Sequence, residues 1–149
     1  MYLFRNDYSF GAHPKVLSAL GATNLQGNVG YGEDAYCRRA EELLLDLCQC
    51  PAGKVEFLIG GTQVNAVAMA AFLRPWEGIL TATSSHLNGH EAGAVEATGH
   101  KLLLVPTGTD GKLRPEQLVP LLEEHRHPHT VKPRVVEIAD ATESGAVYT

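Results

Sequence analysis

The sequence lacks a long apolar run, since no stretch approaches the roughly 18 consecutive apolar residues that a membrane-spanning helix needs. It also lacks an excess of positive charge. Its 12 lysines and arginines are outnumbered by 17 acidic residues, the formal net charge is -5, and the basic residues form no stripe. Because nucleic-acid binding needs a clustered basic surface, we expect neither a nucleic acid nor a membrane as a partner.

Cysteine is scarce, and the start of the chain has no secretion signal. Three cysteines, an odd number, fit a reducing compartment better than a disulfide framework. Arg5 and Asp7 stand where a signal peptide would have its apolar segment. We therefore expect a cytoplasmic protein.

Metal-ligand spacing is also missing, although some histidines lie close together in the sequence. His86 and His90 are four residues apart, and Glu91 follows the second histidine, whereas the zinc-binding HExxH helix has its glutamate after the first. The spacing of Cys48 and Cys50 is not that of a zinc pair. No metal is expected, and a metal-dependent hydrolase using His86, His90 and Glu91 is kept only as an alternative.

What the sequence does contain is the pattern of a packed α/β domain. Its 149 residues are 44% apolar and 19% charged, which favours one globular domain with a core. Short apolar runs typical of strands alternate with segments of helical periodicity; the predicted strands are residues 55–59, 79–82, 101–105 and 134–139. This order predicts an α/β fold with a mostly parallel sheet and helices on both faces.

The central stretch is residues 55–73, which read as a strand, a Gly-Gly turn and an amphipathic helix. We expect Thr62 to cap the helix. The free amides of the first helical turn would then form an anion site, with phosphate as its commonest occupant, and Gly60 and Gly61 would allow close approach. The alternative is that the two glycines only turn a tight corner.

Two further side chains stand where a site could form. His86 follows the predicted strand 79–82, at the edge where open α/β sheets carry their ligand crevice. Tyr31 lies between Gly30 and Gly32 on an irregular segment. Each also has a structural interpretation, His86 as a hydrogen-bonded loop histidine and Tyr31 as a loop anchor.

Taken together, these stretches resemble the low-specificity L-threonine aldolases. These belong to the β-eliminating lyase group of pyridoxal-phosphate enzymes with the aspartate-aminotransferase fold (fold type I). The segments that carry the resemblance, in order, are residues 5–9, 11–14, 30–34, 60–65, His86 with Glu91 and Gly93, 110–113 and 142–148. The resemblance implies that residues 1–149 are an incomplete large domain of that fold.

The resemblance implies a cofactor, pyridoxal 5'-phosphate, and residues that would hold it. Gly61, Thr62 and Gln63 match the turn around the cofactor phosphate, and His86 matches the histidine that stacks on the pyridine ring. The implied reaction is cleavage of the Cα–Cβ bond of β-hydroxy-α-amino acids, such as threonine to glycine and acetaldehyde. β-Elimination and transamination stay open as alternatives.

Catalytic and substrate-binding positions are implied in the same way. His86, Tyr31 and Glu91 match positions at or near the reaction, with Tyr31 reaching the site partly across a dimer interface. The segment near the substrate carboxylate corresponds to Arg5, Asn6 and Asp7. The implied partners are an amino acid substrate and further copies of the chain, as a homodimer or homotetramer of the full-length form.

The lysines do not match the position that the family uses to bind its cofactor covalently. None of Lys15, Lys54, Lys101, Lys112 and Lys132 follows a strand in the required context. We therefore expect an N-terminal part of such an enzyme, inactive by itself. A non-catalytic remnant or phosphate-binding fragment is the alternative.

Overall fold

A computed structural model describes Asn6 and Tyr8–Thr149. The chain divides into two compact units, Met1–Phe57 and Leu58–Thr149. The first contains the helices α1 (Pro14–Thr23) and α2 (Ala35–Leu47). The second contains the sheet and the remaining helices.

The sequence predicts Asp34 as the cap of the helix that follows it, and α2 does begin there. Asp34 is its N-cap and accepts hydrogen bonds from the amides of Tyr36 and Cys37 at 2.8 and 2.9 Å. Hydrogen bonding from Cys37, first through its side chain and then through its amide, lowers the pKa of Asp34. The cap therefore supplies acceptors for amides that the helix itself cannot satisfy.

The predicted strand at residues 55–59 is wrong, because these residues pair with no strand in the part of the chain that the structure describes. Their amides find side chains instead. The amide of Val55 donates to Glu41 Oε1 at 3.2 Å, and that of Ile59 donates to Gln63 Oε1 at 2.9 Å. The alternating apolar pattern is present, but a strand also needs a neighbouring backbone.

The sheet of the second unit has three parallel strands, β1 (Glu77–Ala82), β2 (Leu102–Val105) and β3 (Lys132–Val136). Their order is β2-β1-β3, so β1 is central and is buried throughout. Gly78 is required at the start of β1, because a Cβ there would lie 2.8 Å from the carbonyl oxygen of Lys101 and from Val131 Cγ1. The three strands confirm the parallel α/β prediction.

Helices cover both faces of this sheet, as predicted. On one face α3 (Gly61–Phe72) and α4 (His86–Gly89) contribute to a core of Met69, Leu73, Ile79, Leu87, Val95 and Leu102. On the other, α5 (Pro115–Glu124) packs against a second core of Leu80, Ala82, Leu103, Val105 and Leu113. The alternation of Ile79 and Leu80 along β1 sends neighbouring side chains into different cores.

The sequence also predicts a helix over residues 91–98, with Gly99 just after its end, and this prediction is wrong in the extent of the helix. The structure has the single turn of α4 before it and a 3₁₀ turn at Glu96–Thr98. Ala92 and Gly93 both have positive φ, 52° and 75°, which an α-helix cannot contain. Gly99 does end the segment in the left-handed conformation, φ 89°, as expected for a glycine at this position.

Among the described residues, no helix is long and apolar enough to cross a membrane.

Candidate functional site

Helix α3 opens one residue earlier than Thr62, so the prediction that Thr62 is its cap is wrong. Gly60 is the N-cap, with φ -172° and ψ 167°, and its carbonyl accepts from the amide of Val64 at 3.0 Å. Thr62 is already inside the first turn. Because glycine has no side chain, the helix has no side-chain cap, which leaves its first amides available for another acceptor.

The turn before α3 is held in place by Gln63. Its Oε1 accepts from the amide of Ile59 at 2.9 Å, across the two glycines. The side chain that sequence reasoning assigned to the cofactor thus already has a hydrogen bond that shapes the turn. The backbone amides of Gly61, Thr62 and Gln63 occupy the positive end of the helix dipole.

The glycines of this turn are not explained by crowding. A Cβ built on Gly60 or Gly61 meets no atom within 4 Å, and neither residue has the positive φ that favours glycine. Both residues are exposed. Among the described residues, none therefore fills the space into which a side chain at either position would extend.

His86 lies on α4, four residues after the end of β1. Ser85 caps this helix by accepting from the amide of Asn88 at 3.3 Å. Leu87, 1% exposed, enters the same core as Met69 of α3. This anchor fixes the short helix and leaves the His86 ring half exposed at the carboxyl edge of the sheet.

A carboxylate from a distant part of the chain contacts the His86 ring. Glu143 Oε1 lies 3.2 Å from His86 Nδ1, although the two residues are 57 positions apart. Glu143 Oε2 lies 3.9 Å from His90 Nε2, and the two imidazole rings have centroids 5.4 Å apart. The site therefore has two imidazoles and one shared carboxylate.

Glu91, the residue after His90 in the chain, is buried, 4% exposed. Its Oε1 accepts from Asn65 Nδ2 of α3 at 2.6 Å, which ties the first half of α3 to the segment that follows His86. Its Oε2 has no hydrogen-bond partner among the described residues. A buried carboxylate oxygen without a donor is costly, so this atom is a strong acceptor for any donor that reaches it.

Replacing Asn65 by leucine is expected to lower the free energy of unfolding by about 1–3 kcal/mol, because both oxygens of buried Glu91 then lack a donor. The denaturation midpoint of the natural full-length protein measures the effect. Asn28→Leu, on an exposed loop amide, is the matched control. Equal midpoints for the two variants would show that the Asn65–Glu91 bond contributes nothing.

Other predicted site residues belong to the first unit or lie outside the described residues. Tyr31 belongs to the first unit, where its side chain is fully exposed and its φ is 63°. Asn6 Oδ1 accepts from the amide of Tyr8 and the hydroxyl of Ser9, at 3.1 and 2.6 Å. Arg5 and Asp7 lie outside the described residues.

The described residues contain no group of three or more histidine, cysteine, aspartate or glutamate side chains that could hold a metal ion. Cys37, Cys48 and Cys50 are free thiols. The geometry at His86 and His90 is that of one imidazole hydrogen-bonded to Glu143 and a second imidazole lying farther from the same carboxylate. It gives the metal-hydrolase alternative no support.

Comparison with known proteins decides the family. The sequence profile of the beta-eliminating lyases matches residues 4–149, nearly the whole chain. The chain belongs to the beta-eliminating lyase family. The resemblance found in the sequence is thereby confirmed.

Two similar proteins share the name low specificity L-threonine aldolase. The chain is 32% identical over 147 residues to a low specificity L-threonine aldolase of Pseudomonas aeruginosa PAO1, and 30% identical to one of Pseudomonas sp. NCIMB 10558. In both cases the match covers 97% of this chain and 42% of the relative. The chain therefore spans less than half the length of these beta-eliminating lyase relatives.

A solved structure gives the same picture. A threonine aldolase of Leishmania major is 43% identical and superposes with a TM-score of 0.93. The superposition covers 96% of this chain and 42% of that one. This likeness confirms the fold type I assignment for the part of the family's fold that the chain contains.

Sequence reasoning missed Glu143 and Asn65 as members of the site. A signal for Glu143 was available, because it follows the predicted strand 134–139 much as His86 follows strand 79–82. Neighbouring parallel strands end at the same edge of a sheet, so their following loops can meet. No local pattern marks Asn65, whose partner lies 26 residues away.

Proposed function

We propose that the chain forms part of a pyridoxal-phosphate-dependent lyase that cleaves the Cα–Cβ bond of β-hydroxy-α-amino acids. The observation that carries this proposal is the likeness to three threonine aldolases over 96–97% of the chain. Two features of the second unit suit that chemistry. They are the uncapped N-terminus of α3 and the imidazole of His86.

The residues at the α3 turn fit the cofactor. Uncapped amides at a helix N-terminus suit a phosphate, and glycines with open space before them allow it to approach. Gly61, Thr62 and Gln63 would bind it through their backbone amides, while the Gln63 side chain holds the turn. The fit supports pyridoxal 5'-phosphate as the cofactor.

When bound, pyridoxal phosphate would supply the electron withdrawal that weakens the bonds at the substrate α-carbon. The residues of this chain have the complementary task of removing a proton. His86, with Nδ1 facing a carboxylate, can take the proton of the β-hydroxyl at Nε2. As that proton leaves, the β-oxygen forms the carbonyl of acetaldehyde and the Cα–Cβ bond breaks. The electron pair left at the α-carbon then takes up a proton, which gives glycine.

Tyr31, Glu91 and the segment Arg5, Asn6 and Asp7 complete the proposal. A tyrosine with positive φ beside Gly32, φ 77°, is a strained backbone, and such strain clusters at functional sites. Glu91 would orient α3 through Asn65 rather than contact the substrate. The substrate carboxylate is assigned to the Arg5–Asp7 segment on the family resemblance alone.

The lysine that binds the cofactor is not assigned to this chain. Lys101 precedes β2 and Lys132 begins β3, which puts both at the amino edge of the sheet, opposite to His86. Lys112 Nζ lies over the Tyr148 ring, 5.5 Å from its centroid. We therefore expect no turnover from the 149 residues alone.

We also propose a homodimer or homotetramer for the full-length form. Large apolar side chains are strongly exposed on the described residues, among them Leu25 and Ile59 at 97% each. Association would cover such surfaces. Light scattering on the natural full-length protein tests this, and a monomer at micromolar concentration would refute it.

The reaction is tested by incubating the natural full-length protein with pyridoxal phosphate and L-threonine or L-allo-threonine. Release of acetaldehyde and glycine is expected. Keto acid formation without acetaldehyde would instead indicate β-elimination or transamination and overturn the aldolase proposal. The 149-residue chain is assayed in parallel. Turnover by that chain would contradict its expected inactivity, and it would also contradict the alternative that the chain is a non-catalytic remnant.

A further inference from the structure

We propose that Glu143 is a positioning residue, which holds the His86 imidazole in the tautomer with its proton on Nδ1 and its lone pair on Nε2. This inference rests on the proposed function in assigning the reaction that His86 serves. The contact itself is independent of that assignment.

The carboxylate determines which ring nitrogen carries the proton. An ionised carboxylate only accepts hydrogen bonds, so the 3.2 Å contact with Glu143 Oε1 requires a proton on His86 Nδ1. In the neutral ring the other nitrogen, Nε2, is then an acceptor. An isolated imidazole favours neither arrangement strongly, so a fixed partner on one side gives the ring a defined basic atom.

Glu143 is suited to this task because its backbone is anchored. The neighbouring Thr142 is buried, and its Oγ1 donates to the carbonyl of Asp110 at 2.8 Å. The amide of Thr142 donates to the Ala146 carbonyl at 2.9 Å, and that of Gly145 donates to the Thr142 carbonyl at 2.8 Å. The turn that carries Glu143 is thereby closed on itself and attached to the loop after β2.

That loop has an anchor of its own. Arg114 Nη2 donates a hydrogen bond to Asp110 Oδ2 at 2.6 Å. Hydrogen bonding from Arg114, supported by the amide of Lys112, lowers the pKa of Asp110 to about 2. Asp110 therefore stays ionised at neutral pH and keeps its ion pair with Arg114 at the start of α5. The hydrogen bond from Thr142 goes to the backbone carbonyl of Asp110, so it does not depend on that ionisation.

The second oxygen of Glu143 faces the other imidazole of the group. Oε2 lies 3.9 Å from His90 Nε2, which is beyond ordinary hydrogen-bond distance. Glu143 and His90 are the titratable groups whose contacts with the His86 ring the structure gives. The closer contact is with His86, so the positioning effect is assigned to that ring.

The first test measures the tautomer directly. Nitrogen-15 NMR of histidine-labelled natural full-length protein is expected to give His86 protonated at Nδ1. In Glu143→Ala this signature is expected to be lost, and in Glu143→Gln, whose amide oxygen can still accept, it is expected to be largely kept. Glu124→Ala, at an exposed acid on α5, is the control and leaves His86 unchanged.

The second test measures turnover of the β-hydroxy amino acid. For Glu143→Ala we expect kcat to fall by about tenfold to a hundredfold, the loss typical of one hydrogen bond to a charged group. The affinity for pyridoxal phosphate should change by less than about threefold, since the phosphate is assigned to α3. Glu143→Gln should recover most of the lost kcat.

The outcomes separate this inference from the proposed function. An unchanged His86 tautomer in Glu143→Ala overturns the positioning role, whatever the reaction. A lost Nδ1 signature in a protein that never releases acetaldehyde supports the hold of Glu143 on His86 and refutes the aldolase proposal. Equal losses of kcat and cofactor affinity would mark general damage to the fold and also overturn the role.

Discussion

Phenylalanine in place of His86 is expected to lower kcat for threonine cleavage by about 10²–10⁴-fold, the range for removal of a general base. The substitution keeps a flat aromatic ring at the start of α4 and removes both ring nitrogens. His86 has two proposed tasks, covering the cofactor ring and taking a proton. Phenylalanine removes only the second.

Alanine at the same position removes both tasks. Comparing His86→Ala with His86→Phe therefore separates the effect of losing the aromatic ring from the effect of losing the base. Pyridoxal-phosphate affinity should stay within about threefold of wild type in His86→Phe, because the ring face is kept, and should weaken further in His86→Ala. Stacking of aromatic rings contributes about 0.5–1.5 kcal/mol beyond burial, which corresponds to roughly a threefold to tenfold loss of affinity. Absorbance of the bound cofactor and acetaldehyde release measure the two quantities separately.

His90→Phe is the matched control for this experiment. His90 lies beside His86, with ring centroids 5.4 Å apart, and its contact with Glu143 is longer. Its replacement should lower kcat by less than about tenfold. If the His90 variant lost as much activity as the His86 variant, or if His86→Phe kept wild-type kcat, the assignment of the proton transfer to His86 would be wrong.

The sheet could be predicted because its strands are short apolar runs bounded by turns. Residues 79–82, 101–105 and 134–139 each correspond to a strand of the structure. Residues 55–59 have the same pattern and form none, because pairing depends on a neighbouring backbone rather than on local sequence. The segment 91–98 failed for a local reason, the positive φ of Ala92, which side-chain periodicity does not reveal.

The candidate site divides in the same way. The N-terminus of α3 and the position of His86 at the end of a strand could both be predicted, because glycine turns and strand ends are visible in the sequence. Contacts across long separations are not visible. The Asn65–Glu91 bond and the His86–Glu143 contact join positions 26 and 57 residues apart, and only the folded chain brings them together. The cap at Gly60 was missed because threonine offers a side-chain oxygen for capping and glycine offers none.

Valine in place of Gly61 is expected to weaken pyridoxal-phosphate binding by about a hundredfold while leaving the fold intact. A Cβ at this position would meet no atom of the described residues within 4 Å, so the first added carbon gives folding no steric reason to suffer. The added side chain would, however, extend into the space in front of the free amides of α3. Losing one or two hydrogen bonds to a charged phosphate, at about 1.5–3 kcal/mol each, corresponds to roughly that factor in affinity.

Phosphorus-31 NMR titration of the natural full-length protein with pyridoxal phosphate measures this affinity, and circular dichroism checks the fold. Gly21→Val is the control, since Gly21 lies in α1, where a Cβ also meets no atom within 4 Å. The control should bind the cofactor as wild type does. A folded Gly61→Val variant with unchanged affinity would mean that the phosphate does not lie at this helix terminus, because a side chain cannot share that space with a bound anion.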